Sequence, residues 1–173
     1  RFARSRLRAA VMPALTSAKT YLAKSKATDT AANVETPGAG NTFNYDTALP
    51  TSTVSAPTNG SYTNSLPNIT GTGTDTGGST LDRIELVIKN LTSGDYWNGS
   101  AWVVGLSTVN ATGTTAWTYA NPGWSDSIGY AITATAVDKA SNKQAVPVYV
   151  TFTYDVTAPS SSVTTPANGA NLT

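Results

Sequence analysis

"TFTYDVTAPSSSVTTPANG", residues 151–169, repeats "TFNYDTALPTSTVSAPTNG", residues 42–60, without a gap. The Tyr-Asp pairs place Asp46 and Asp155 109 residues apart. The same offset carries Pro50 onto Pro159, Val54 onto Val163, Pro57 onto Pro166 and Asn59-Gly60 onto Asn168-Gly169. Upstream, "YAITATAVDKASNKQ" from Tyr130 answers "YLAKSKATDTAANVE" from Tyr21, so that Asp29 falls on Asp138, Ala31 on Ala140 and Asn33 on Asn142. Pro13 falls on Pro122.

An internal period has to be read before anything else, because it sets the folding unit. About 109 residues is too long for a solenoid repeat and suits an independent β-sandwich. The expected organisation is the C-terminal part of one repeat over 1–48, a complete repeat over 49–156 and the start of another over 157–173. On this reading the chain is a window on a longer array. Seven of the eleven Lys and Arg lie between Arg1 and Lys26. Arg1 to Arg8 followed by "AAVMPAL" has the outline of a secretory signal, interrupted by Pro13. The offset accounts for the same residues as the tail of a preceding repeat.

Composition narrows the function classes. The chain has 173 residues, 39% apolar and 12% charged, with a net charge of +1. There is no field to favour nucleic acid. With no Cys and no His, disulfides, thiolate-zinc sites, thiol nucleophiles and histidine bases are excluded, and a Ser-His-Asp triad is impossible. No run of eighteen apolar residues is present to span a membrane as a helix.

Within 49–156 the periodicity is that of strands. "RIELVIKN" sets Ile84, Leu86 and Ile88 against Arg83, Glu85 and Lys89. "YAITATAVD" aligns Tyr130, Ile132, Ala134 and Ala136, and "TTAWTYA" aligns Trp117 with Tyr119. The stretch between Pro50 and Pro57 reads as an edge strand, "LPNITGTGTD" as the second strand and "AVPVYVTFTYD" as the last. About seven short strands with turns between them predict an all-β fold, two antiparallel sheets packed face to face. In "YWNGSAW", residues 96–102, Asn98-Gly99 predicts a two-residue hairpin turn, with Trp97 opposite Ser100 and Trp97 and Trp102 as a diagonal pair. These rings either pack the hairpin or form a stacking platform for a glycan, with Trp124 as a further candidate.

The combination "YWNGSAW … TTAWTYANP … YAITATAVDKASN … VTFTYDVTAPSSSVTTPANG" resembles the bacterial Ig-like repeats of large secreted and cell-surface proteins. "AVDKASN" is similar to that family's Ala-x-Asp-x-Ala-Gly-Asn signature, with Ser141 where Gly is usual, and "YDVTAP" to its Asp-x-Thr-x-Pro linker. "YDTALP" departs from the linker at Ala48 and Leu49. The resemblance implies an Ig-like β-sandwich in tandem, extracellular or on the bacterial cell surface. The implied role is a non-enzymatic stalk, adhesin or fibre whose partners are neighbouring repeats or identical subunits. Alternatives are a carbohydrate-binding module using Trp97 and Trp102 on surface glycans, and a filament subunit exchanging strands with its neighbours.

Some members of the family bind calcium at domain junctions. In an Ig-like sandwich the incoming linker and two inter-strand loops meet at one end. Here these bring Asp46, Asp75, Asp138 and Asn142, candidate oxygen ligands for calcium. Asp and Asn in turns also cap their own backbone, which is the competing reading. Asp82 and Glu85 could act as an acid-base pair on a glycoside, against the plainer role of a solvated outer face.

Overall fold

The computed structural model describes residues 12–171, so the expectations for Arg1–Arg8 lie outside the described residues. Among the described residues thirteen strands run in chain order: β1 (Lys19–Ala23), β2 (Asn41–Tyr45), β3 (Thr51–Ala56), β4 (Ser61–Thr63), β5 (Asn68–Thr74), β6 (Leu81–Asn90), β7 (Tyr96–Trp97), β8 (Trp102–Val103), β9 (Val109–Asn110), β10 (Thr112–Gly113), β11 (Ala116–Ala120), β12 (Ile128–Asp138) and β13 (Val148–Tyr154). No helix forms among the described residues. One sheet has the order β10-β11-β5-β3. The other has the order β4-β13-β12-β6-β7-β8, with β9 also on β6. Together they make an Ig-like β-sandwich.

The alternation read from the sequence becomes the core. Ile84, Leu86 and Ile88 of β6 and Tyr130, Ile132, Ala134 and Ala136 of β12 are fully buried, facing Ile69 and Trp117 of the other sheet. Room for the Trp117 indole comes from β5, where Gly71 is its register partner. A Cβ on Gly71 would collide with both the indole and the Thr53 carbonyl. Trp124 closes one end, with its ring centroid 4.7 Å from Tyr130 and its indole N–H donating to the Leu66 carbonyl at 3.0 Å. Gln144 ties the sheets together: its Oε1 accepts from Ser52 Oγ of β3 at 2.7 Å and from the Ala136 amide of β12 at 3.1 Å.

One expectation is corrected. The Asn98-Gly99 turn is a four-residue loop, with Trp97 directly opposite Trp102 and Tyr96 opposite Val103. The Asn98 side-chain oxygen accepts from the amides of Ser100 and Ala101, at 3.0 and 2.9 Å, and from the Ser100 hydroxyl. That local alternative holds Ser100 and Ala101 in the loop and outcompetes the tighter turn. The sheets are antiparallel as expected, and the short β4 adds to the edge of one of them, on β13, in parallel. Asn59 fastens this addition by accepting from the Thr151 amide at 2.9 Å, while the Gly60 amide donates to the Thr151 carbonyl.

The β1–β2 hairpin forms a separate two-stranded sheet. Its register, Lys19↔Tyr45 through Ala23↔Asn41, is that of β12–β13, Ile128↔Tyr154 through Ile132↔Val150, shifted by 109 residues. Tyr21 stacks on Phe43 at 5.6 Å and 26°, as Tyr130 stacks on Phe152 at 5.5 Å and 27°. The Tyr21 hydroxyl accepts from the Thr16 amide as that of Tyr130 accepts from the Ser125 amide. Ala18 and Ser127 share a φ near +60°, and Ala32 and Ser141 have φ of 66° and 69°. The environments differ: Tyr130 and Phe152 are buried, whereas Tyr21 is half-buried and Phe43 exposed.

Candidate site at the joint

Three loops meet where the hairpin passes into the sandwich. β2 ends at Tyr45 and delivers Asp46; the loop from β5 to β6 delivers Asp75 and Gly77–Ser79; β12 ends in Asp138 and turns through Asn142. The structure brings Asp46, Asp75 and Asp138 together, with one carboxylate oxygen from each within 4.8 Å of the others. Asp46 and Asp138 are buried, at 7% and 1% exposure, and Asp75 is half-buried.

Each carboxylate also organises backbone. Asp46 Oδ1 accepts from the Ala48 amide at 2.8 Å and from Ser17 Oγ at 3.3 Å, and Oδ2 accepts from the Ser79 amide at 2.9 Å. Asp138 takes the Asn142 amide on Oδ1 and Asn142 Nδ2 on Oδ2, both at 2.8 Å. Asp75 accepts from the Gly77 amide at 3.3 Å and from the Ser79 hydroxyl at 3.5 Å. Turn capping, the competing reading of these residues, therefore operates at all three. Hydrogen bonding from Ser79 holds the Asp46 carboxyl below the usual carboxylate range, against its burial; Ala48 and Ser17 add to the lowering.

Asn142 serves as a donor in this arrangement: its Nδ2 reaches the Asp46 carbonyl at 3.1 Å as well as Asp138. It ties the linker to the loop and presents nitrogen, not oxygen, to the cluster. Gly77 is part of the same fit, because a Cβ there would land on the Asp46 carboxylate. Among the described residues no Lys or Arg pairs with Asp46, Asp75 or Asp138. Three uncompensated carboxylates suit a divalent cation that prefers hard oxygens.

Ser17, Gly77 and Ser79 were not picked out from the sequence. Two of them act through a backbone amide or the lack of a side chain, which no residue pattern signals. Asp29 and Asn33 repeat the Asp138–Asn142 turn: Asn33 Nδ2 donates to Asp29 Oδ2 at 2.8 Å, and the Asn33 amide to Oδ1 at 2.9 Å. That copy is exposed.

The aromatic candidates lie elsewhere and are engaged in packing. Trp97 and Trp102 are half-buried, 5.6 Å apart and tilted by 59°. The Trp97 indole N–H donates to the Tyr119 hydroxyl at 2.9 Å, and Trp102 lies 5.5 Å from Tyr130. Asp82 and Glu85 both grip Arg83, at 2.7 and 2.6 Å, and Glu85 also takes Lys143 at 3.0 Å. The two carboxylates are spent on ion pairs of the outer face.

No family model and no curated protein matches the chain. Among solved structures it is similar to the fibronectin(III)-like modules of Clostridium thermocellum CbhA, at 14% identity and a TM-score of 0.45, over 84% of this chain and 68% of that one. No helix among the described residues is long and apolar enough to cross a membrane.

Proposed function

We propose that the chain is part of a non-enzymatic extracellular spacer of a bacterial surface or secreted protein, built from tandem Ig-like sandwiches. The observation that carries this reading is the β1–β2 hairpin, which reproduces the register, aromatic stack and turn conformations of β12–β13 at the offset of the sequence repeat. An isolated two-stranded hairpin is marginal in water, so it is read as the last two strands of a preceding sandwich. The path of the chain supports the same reading. β3 begins beside Asp75, at the Asp138 end of the sandwich, and β13 ends beside Ile128, at the opposite end. Such a unit extends an array by roughly the length of β12, about 36 Å at about 3.3 Å per residue.

Seating Asp46 among Gly77, Ser79 and Asn142 restricts bending at the joint, which is what a spacer needs in order to convert length into reach. Asp46, Asp75 and Asp138 are the residues that would hold calcium, and the cation would supply neutralisation of three gathered charges. The denatured mass of the natural polypeptide, with surface labelling of intact bacteria, tests the proposal. A mass far above 17.9 kDa together with labelling is expected. A polypeptide close to that mass, or one confined to the cell interior, would overturn the spacer.

A further inference from the structure

We infer that the far end of the sandwich, around Asp155, is a preformed plug whose partner is another sandwich of this chain's own kind, presenting a Gly-Gly-Ser loop like Gly77–Ser79. The inference rests on the tandem reading and adds which groups lock the next joint.

At the near joint the plug is seated. Thr47 donates its amide to Ser17 Oγ at 2.9 Å, Ala48 donates to Asp46 Oδ1, and Ala18 takes a φ of 61° beside Gly78. The same scaffold recurs 109 residues later. Val156 donates its amide to Asp126 Oδ1 at 2.7 Å, Thr157 donates to Asp155 Oδ1 at 3.0 Å, and Ser127 takes a φ of 60°. One difference strengthens the second copy. Asp126 stands where Ser17 stood, and its Oδ2 also accepts from the Thr157 hydroxyl at 2.6 Å.

What separates the two plugs is their cover. Asp46 is buried and its Oδ2 takes the Ser79 amide, whereas Asp155 is half-buried, Val156 is exposed and, among the described residues, Asp155 Oδ2 receives no hydrogen bond. The near joint specifies what such a partner presents. It needs a backbone amide in the place of Ser79, and a glycine in the place of Gly77, because any side chain there would displace the carboxylate. Residues 157–173 already follow 48–64 at the repeat offset, with Pro159, Val163, Pro166 and Asn168-Gly169 in place. A sandwich continuing from Thr157 would present its own loop to Asp155.

The test lengthens the chain after Thr173 with a second copy of residues 65–156, which completes another repeat in register. Amide relaxation and hydrogen exchange are measured by NMR on this chain, on its Asp155→Ala variant, and on a variant carrying Gly77→Val in the appended copy only. The expected result is two folded sandwiches tumbling as one body. The appended copy of the Ser79 amide should exchange at least about tenfold more slowly than in the Asp155→Ala chain, the effect of one hydrogen bond to a charged acceptor. The appended Gly77→Val should set the sandwiches tumbling independently. Two folded sandwiches that already tumble independently, with neither variant changing exchange, would overturn the plug while leaving the tandem reading intact. An appended segment that stays unfolded would overturn both.

Discussion

Replacing Asn142 by Ala isolates the contribution of the side chain that links linker and sandwich. The change deletes two hydrogen bonds from Nδ2, to Asp138 Oδ2 and to the Asp46 carbonyl, and leaves the Asn142 amide on Asp138 Oδ1. Asp138 is 1% exposed, so water does not readily replace the lost donor. A hydrogen bond to a charged group contributes about 1.5–3 kcal/mol, and a cost near 2 kcal/mol is expected. For a domain of about 100 residues each kcal/mol moves the melting temperature by roughly 4–8 °C, giving a fall of about 10 °C. The assay is thermal unfolding followed by near-UV circular dichroism, in a chelator so that no bound cation supplies the missing partner. Asn33→Ala is the control, since it removes the same side chain from the matching exposed turn and should leave the sandwich melt unchanged. A fall of less than about 3 °C for Asn142→Ala, or equal falls for both variants, would refute the reasoning.

Gly71→Ala should destabilise the sandwich by at least about 1–3 kcal/mol in urea, because the new methyl meets backbone at Thr53 as well as the Trp117 ring; a neutral result would mean that β3 yields. Ser141→Gly should stabilise by roughly 1 kcal/mol in the same assay, since Ser141 sits at a φ of 69° where L residues are strained, and no gain would place the strain elsewhere. Millimolar calcium should raise the melting temperature, by the equivalent of about 2.7 kcal/mol at a hundredfold excess over Kd, and Asp138→Asn should abolish the rise; a melt indifferent to calcium and chelator would remove the cation from the joint. The Thr157 hydroxyl, then the Val156 amide, hold the Asp126 carboxyl below the usual range. Its ties therefore persist below an ordinary aspartate pKa of about 3.9 and are lost as pH falls through the lower folded value. An NMR titration of the Val156 amide with a midpoint at or above that value would contradict this.

The parts of the fold that were legible in the sequence are those in which a side chain's own type decides the outcome. Alternation in β6 and β12 placed Ile84, Leu86, Ile88, Tyr130, Ile132, Ala134 and Ala136 in the core because period two and burial on one face are the same fact. The prolines at 50 and 57 set β3 at a sheet edge. The four-residue loop was not legible, since Asn98 favours both the tight turn and the wider loop, and its side-chain bonds to Ser100 and Ala101, which settle the wider one with Trp97 opposite Trp102, are not marked by residue type. The parallel addition of β4 rests on Asn59 reaching Thr151, a contact between residues far apart in sequence. At the joint, the carboxylates Asp46, Asp75 and Asp138 could be found because an Ig-like sandwich brings the incoming linker and two inter-strand loops to one end. The amide of Ser79 and the bare backbone of Gly77, which make the seat, have no signature of residue type. Ser141 was legible only as a departure from glycine, and its left-handed φ now gives the reason glycine is favoured there.

The entry of the chain at one end of the sandwich and its exit at the other has a consequence under load. Tension applied to the two linkers pulls β3 outward at Thr51 and β13 outward at Tyr154, each along its own axis and from opposite ends. The ladders that resist are β3 on β5, and β13 between β12 and β4. Their hydrogen bonds lie across the pulling direction and are sheared together, instead of being peeled open one at a time. The short parallel strand β4 thus becomes a brace on the last strand. The Gln144 bonds to Ser52 and Ala136 couple the two loaded sheets.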